Sequence, residues 1–208
     1  MTTMRTSRKS LVASMVFAMP ALLALPAVAS AQSKLDEKRA ASPEGSVEIE
    51  NAAGSIRVIG WSRPEITVTG TLGDGAEGLD FSGGPKRTKI EVDVEGNPHH
   101  VSSDLEIHLP VGSKIEISSF SANITVTEVT GTVSAETVSG SISVSGPAKE
   151  VSAHTVQGAI EIAGPIKSVQ VEGVNGPVTV KGATGTVNAN TVDGRMSVTG
   201  TSLERAEL

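Results

Sequence analysis

Residues Asn123 to Gly194 divide into four consecutive blocks of 18 residues, with no insertion or deletion and Gly closing each block. The blocks are NITVTEVTGTVSAETVSG, SISVSGPAKEVSAHTVQG, AIEIAGPIKSVQVEGVNG and PVTVKGATGTVNANTVDG. Position 2 of the block is Ile124, Ile142, Ile160 and Val178, and position 4 is Val126, Val144, Ile162 and Val180. Position 11 is Val in all four (Val133, Val151, Val169, Val187), and position 13 is Ala135, Ala153, Val171 and Ala189. Position 16 is again Val: Val138, Val156, Val174 and Val192. These five positions read as the inward set, with Ser, Thr, Glu, Lys and Asn between them. Alternation of apolar and polar residues is the period of a strand, and β-branched residues fit its pleat.

The step from position 4 to position 11 is odd, so one straight strand cannot keep both on the same face. A corner must lie between, and each block has Gly or Pro there: Gly131, Gly146-Pro147, Gly164-Pro165, and Gly182 with Gly185. The closing pairs Ser139-Gly140, Gln157-Gly158, Asn175-Gly176 and Asp193-Gly194 mark a second corner. Units repeated without indels stack on one another, and 18 residues are too few for a propeller blade of roughly 40. The expectation is an all-β chain: a parallel β-solenoid (β-helix) with 18-residue coils and a β-rich N-terminal cap. One coil of about 18 residues has a perimeter of roughly 60 Å, which suits a filled interior. Five inward side chains at about 1–3 kcal/mol each do not offset ordering 18 residues at about 1–2 kcal/mol each, so the coils must stabilise one another.

Residues 1–31 read as a signal peptide. Arg5, Arg8 and Lys9 form a basic start, Leu11 to Leu25 an apolar stretch, and Ala29-Ser30-Ala31 a small-x-small cleavage site that predicts Gln32 as the mature N-terminus. The alternative, an uncleaved anchor, is disfavoured because the apolar run is shorter than the ~20 residues of a span. The sequence has no Cys for lipid attachment. The whole chain has 17 Lys and Arg against 23 Asp and Glu; losing Arg5, Arg8 and Lys9 leaves 14 and a net charge of −9. That charge makes the mature chain a poor candidate for binding nucleic acid or anionic lipid. No membrane span is expected in the mature chain.

Residues 32–45 (QSKLDEKRAASPEG) are polar and read as a flexible leader. Residues 46–122 show strand alternation without the strict repeat and read as the β-rich N-terminal cap, its last part, Leu105 to Ala122, as a degenerate first coil. Residues 123–208 form the repeat region. The pattern restarts at Arg195-Met196-Ser197-Val198 and stops without a closing Gly, which reads as an incomplete last coil: truncated, capped by its own last residues, or with an edge free for edge-to-edge self-association.

Three stretches, EIENAAGSIRVIGWSRPEITVTG, LEIHLPVGSKIEISSFSANITV and the serial TVSG and TVDG blocks, resemble the bacterial putative-adhesin family of β-strand-repeat proteins, a domain of unknown function. The resemblance covers Ser46 to Leu208. Its most specific pieces are Gly54-Ser-Ile-Arg-Val-Ile-Gly-Trp61 and Leu105-Glu-Ile-His-Leu-Pro110. It implies an exported, non-catalytic β-solenoid, usually with more coils than this chain has, and brings no catalytic, metal or cofactor residues.

The candidate sites are few. Gly73-Asp74-Gly75-Ala76-Glu77-Gly78 matches G-x-G-x-x-G, but Leu79 to Pro85 cannot supply the helix that a dinucleotide needs, so the stretch reads as a surface loop. Asp74, Glu77 and Asp80 could ligate calcium, though at no recognised spacing; a solvated acidic loop is the simpler reading. His99, His100 and His108 are a histidine cluster without the further ligands a metal site wants, and His154 is alone on an outward position. No serine is tied to a His and an acid by any motif. Trp61, Phe81 and Phe120 are the aromatics after residue 31, and Trp61 reads as packing in the cap. No aromatic follows Phe120, so the repeat region lacks stacking platforms for sugars or single-stranded nucleic acid.

Thr125 and Thr127 form the T-x-T of flat ice-binding surfaces, but Ser143/Ser145, Glu161/Ala163, Thr179/Lys181 and Ser197/Thr199 do not keep it. Position 14 (Glu136, His154, Glu172, Asn190) has no constant chemistry. The sequence thus predicts no enzyme, cofactor or metal. It predicts an exported scaffold or interaction protein, periplasmic or at the cell surface, whose partner is an unknown protein or envelope component. The rival readings are a carbohydrate-active β-helix enzyme of the polysaccharide lyase kind, disfavoured because the coils carry no insertions or paired carboxylates, and a periplasmic accessory in envelope-stress signalling.

Overall fold

A computed structural model describes residues 33–73, 75–94, 101–200 and 205–207. The signal-peptide reading of residues 1–31 lies outside the described residues. Among the described residues, sixteen strands form one sheet. In the N-terminal half these are β1 (Ser33–Ala40), β2 (Ser46–Trp61), β3 (Glu65–Leu72), β4 (Ala76–Gly84), β5 (Arg87–Val94), β6 (Ser103–Pro110) and β7 (Lys114–Thr127). The repeats supply β8 (Thr132–Ser139), β9 (Ile142–Ser145), β10 (Glu150–Gln157), β11 (Ile160–Ala163), β12 (Ser168–Asn175), β13 (Val178–Ala183), β14 (Thr186–Asp193), β15 (Met196–Gly200) and β16 (Arg205–Glu207).

The parallel β-solenoid with 18-residue coils expected from the repeat is not the fold. The sheet is mixed and not closed. β1 pairs antiparallel with β3, β3 with β6, and β4 with β5, while the remaining pairs are parallel. Nor is there a separate cap. β2 lies in parallel register on β7 from Ser46↔Lys114 to Ile59↔Thr127, so the N-terminal half continues directly into the repeats. On its other side β2 carries β5 along its first part and β6 along its second. The short connection β4–β5 reverses the chain, and a reversal of that length gives antiparallel neighbours.

The sheet branches at β7. One ladder runs β7-β8-β10-β12-β14-β16 and the other β7-β9-β11-β13-β15. Within the ladders, residues 18 apart pair in parallel, as in Val133↔Val151↔Val169↔Val187 and Ile142↔Ile160↔Val178↔Met196. Both ladders turn their apolar faces into one core, where Val133, Val151, Ile162 and Val187 are fully buried. A further buried residue per repeat fills the first corner: Val129, Ala148, Ile166 and Ala183.

Two other expectations change. The segment read as a flexible leader forms β1, paired with β3 along its length and held by side-chain contacts at its C-terminal end. Lys38 lies 2.7 Å from Glu65, and that bond holds the Glu65 carboxyl below the usual carboxylate range, against a smaller opposing effect of desolvation. The Arg39 guanidinium donates to the carbonyl oxygens of Phe81 and Gly83 and lies 4.9 Å from the centroid of the Phe81 ring. The second change concerns position 16. Alternation carries the inward face from position 11 to 13 to 15, so Thr137 and Thr155 are buried and Val138 and Val192 are exposed.

The closing corner needs glycine for a steric reason. A Cβ on Gly158 would stand 2.0 Å from the Gly140 carbonyl oxygen, and one on Gly176 would stand 2.0 Å from that of Gly158. Both also hold positive φ, +154° and +145°. Gly158→Ala is therefore expected to destabilise by about 2–4 kcal/mol, from overpacking and backbone strain. Gly84, whose Cβ would meet nothing within 4 Å, should tolerate Ala to within about 0.5 kcal/mol; urea unfolding followed by circular dichroism compares them. In the same assay Val151→Asp should cost more than about 4 kcal/mol by burying an unpaired charge. Its outward neighbour Ser152→Asp should cost under about 0.5 kcal/mol.

Candidate functional site

The residues singled out by sequence do not converge. The glycines of the G-x-G-x-x-G match straddle the start of β4, a strand antiparallel to β5, so the expected surface loop is in large part sheet. Asp74, His99 and His100 lie outside the described residues. Asp80 accepts a hydrogen bond from Ser82 (3.1 Å) and pairs across the strands with Glu91. The His108 ring stacks obliquely on Trp61 at 5.0 Å between centroids, and its Nε2 lies 3.1 Å from a Glu106 carboxylate oxygen. The Trp61 indole N–H donates to the Glu65 carbonyl (2.8 Å) and Arg63 lies 4.9 Å from the ring, so Trp61 is fixed by its neighbours. Among the described residues, no group of three or more His, Cys, Asp or Glu could hold a metal ion. No described helix is long and apolar enough to cross a membrane.

What the fold does assemble is a surface on the outer side of the ladder β7-β8-β10-β12-β14. Two rows of side chains run along it, perpendicular to the strands. The first follows the pairings Glu91↔Glu50↔Ser118↔Glu136↔His154↔Glu172↔Asn190. Lys89 bridges Glu91 (2.8 Å) and Glu50 (3.2 Å); these two bonds, that from Glu91 first, hold its ammonium well above its usual range. His154 Nδ1 sits 3.7 Å from Glu136.

The second row stands two residues further along each strand and is apolar: Ala52, Phe120, Val138, Val156, Val174 and Val192. Phe120 is 50% exposed, Val138 41% and Val192 79%, while Val156 and Val174 are half-buried. At the β5 end the row opens into a groove of about 430 Å³, walled by Ala52, Val92, Val94, Phe120 and Val138 and rimmed by Glu50, Glu91 and Glu136. The sequence hides this row because position 16 is Val and counts as core; the parity of the steps 11, 13, 15 identifies it as outward.

No protein-family model matches this chain, and no curated protein matches it. Solved structures do resemble it at low identity. A "putative cell adhesion protein" of Clostridium sporogenes is 9% identical with a TM-score of 0.41, covering 84% of this chain and 100% of its own. A "putative adhesin" of Bacteroides fragilis is 12% identical with a TM-score of 0.44, covering 86% and 99%. A "putative lipid binding protein" of Parabacteroides distasonis is 10% identical with a TM-score of 0.39, covering 84% and 97%. These names are of adhesion and binding proteins rather than enzymes, and likenesses this distant assign neither a family nor a ligand.

The inward Thr and outward Val make opposite predictions. The Thr137 hydroxyl is buried without a partner, whereas that of Thr155 donates to the Gly140 carbonyl (3.1 Å). Thr137→Val should stabilise the protein by about 1 kcal/mol, and Thr155→Val should cost about 1 kcal/mol. Val138→Thr should change stability by less than about 0.5 kcal/mol, since both residues suit a strand and the site is exposed. Thermal or urea unfolding of the three variants checks the assignment.

Proposed function

We propose that this chain is an exported, non-catalytic interaction protein of the bacterial envelope, adhesin-like in that it works by presenting a surface. The observation that carries this reading is the apolar row on the outside of the ladder. A monomeric surface with no partner has no reason to repeat Val at an outward position through four repeats, exposed at Val138 and Val192, and place Phe on the same row ahead of them. The resemblance of Gly54–Trp61 and Leu105–Pro110 to the putative-adhesin family of β-strand-repeat proteins supports the same conclusion. So does the N-terminal segment, with its basic start, apolar stretch and Ala29-Ser30-Ala31. A second contact surface under this reading is the edge strand β15, which carries no charge, in contrast to β1 with Lys34, Asp36, Glu37, Lys38 and Arg39.

Expression of the full chain in a Gram-negative host, followed by fractionation and N-terminal sequencing, tests the reading. The expected product begins at Gln32 and sits in the spheroplast supernatant or on the intact cell surface. The purified protein should release no reducing ends from uronic-acid or neutral polysaccharides. A cytoplasmic, uncleaved product, or turnover of any of these polymers, would overturn it.

A further inference from the structure

The two rows together specify more than a sticky face. We infer that the ladder binds an amphipathic, Lys/Arg-bearing helix of a partner protein, laid along the Val row with its cations over the Glu row. The inference rests on the reading of this chain as an interaction protein and adds the chemistry of what it takes.

The geometry selects a helix. Successive side chains in the apolar row are one strand spacing apart, ~4.8 Å, so Phe120 to Val192 spans about 19 Å. A helix lying along the row presents an apolar residue every turn, ~5.4 Å, and slips by only about 0.6 Å per strand. An extended segment presents same-face residues every ~6.6 Å and would lose register after one or two strands. The groove at Ala52, Phe120 and Val138 lies at one end of the row. It provides the anchoring pocket for one large apolar side chain, which is where such interfaces concentrate their energy.

Charge selects the cations. Beside the apolar row stand Glu91, Glu50, Glu136 and Glu172, and the next outward row runs Lys89↔Glu48↔Glu116, one cation and two further carboxylates. Positions 11 to 17 of the four repeats contain no Lys or Arg. Within the acidic row His154 faces Glu136, and Lys89, from the next row, is shared between Glu50 and Glu91, leaving one of that pair uncompensated. The same charge argues against a second copy of this chain as occupant, because two such faces would bring their Glu rows together in a partly desolvated interface.

Fluorescence anisotropy with the full mature protein and labelled peptides of about 15 residues, long enough to span the row, tests the inference. One peptide places Leu on a single helical stripe with Lys beside it, a second scrambles the same composition, and a third replaces Lys by Glu. The first peptide alone should bind, more weakly as salt rises. The double variants Val138→Thr/Val174→Thr and Glu136→Lys/Glu172→Lys should each weaken binding at least about tenfold while keeping the wild-type circular dichroism and melting temperature. Equal binding of the scrambled or acidic peptide, or unchanged affinity in either variant, overturns it. So does a dimer in sedimentation that Val138→Thr/Val174→Thr dissociates, since a second copy would then own the row. Failure here with envelope localisation intact strikes the inference alone, whereas polysaccharide turnover strikes the reading beneath it.

Discussion

The structure depends on a hydrogen-bonding constraint. No repeat can satisfy its own strand backbone, so its N–H and C=O groups find partners in the repeats before and after it. The closing corner shows this directly: Gly140 N–H donates to Gln157 O, Gly158 to Asn175 O, and Gly176 to Asp193 O. These bonds hold successive repeats in a register of 18 residues, and that register places Val133, Val151, Val169 and Val187 in a single column. The close approach that makes the bonds possible also excludes a Cβ at the corner glycines. Core packing, corner chemistry and the outward rows therefore follow from one pairing, and a residue that spoils the pairing spoils all three.

The same constraint explains what was legible in the sequence. Positions 2, 4, 11 and 13 are readable because an indel-free repeat fixes register and alternation fixes the face. Position 16 misleads because Val is apolar whether it packs inside or stands outside. Only the even step from 13 to 15 shows that Thr137 and Thr155, not Val138 and Val156, enter the core. The antiparallel pairings of β3 with β1 and with β6 are not legible, since they depend on contacts distant in sequence, such as Ala40↔Glu65 and Leu72↔Ser103. β1 is the extreme case: SKLDEKRA has the composition of a disordered segment, yet Lys38 and Arg39 find partners on β3 and β4 that local reasoning cannot anticipate.

The candidate surface was hidden for a related reason. Motif reading looks for chemistry concentrated in a few residues, and here the chemistry is spread thinly over many strands. Glu50, Glu91, Glu136 and Glu172 come from four strands and are 41 to 122 residues apart when counted from Glu50 to Glu91 and to Glu172. Position 14 looks inconstant when only the repeats are compared. Its acidic character emerges when β2 and β5, outside the repeat, are brought into the same row.

Strand propensity does not account for the exposed Val row. Thr is equally suited to a pleated, half-exposed site, and outward positions elsewhere in this chain use Ser, Thr, Asn, Gln and Glu freely. If propensity alone selected Val, it should appear in the other outward rows of the same ladder, positions 12 and 14. Those rows contain none: Ser134, Ser152, Gln170 and Asn188 in one, and Glu136, His154, Glu172 and Asn190 in the other. Val is confined to the one outward row that is continuous with Phe120 and with the groove beneath Val94. An outward apolar row costs solubility, and strand propensity alone does not account for its confinement to that line.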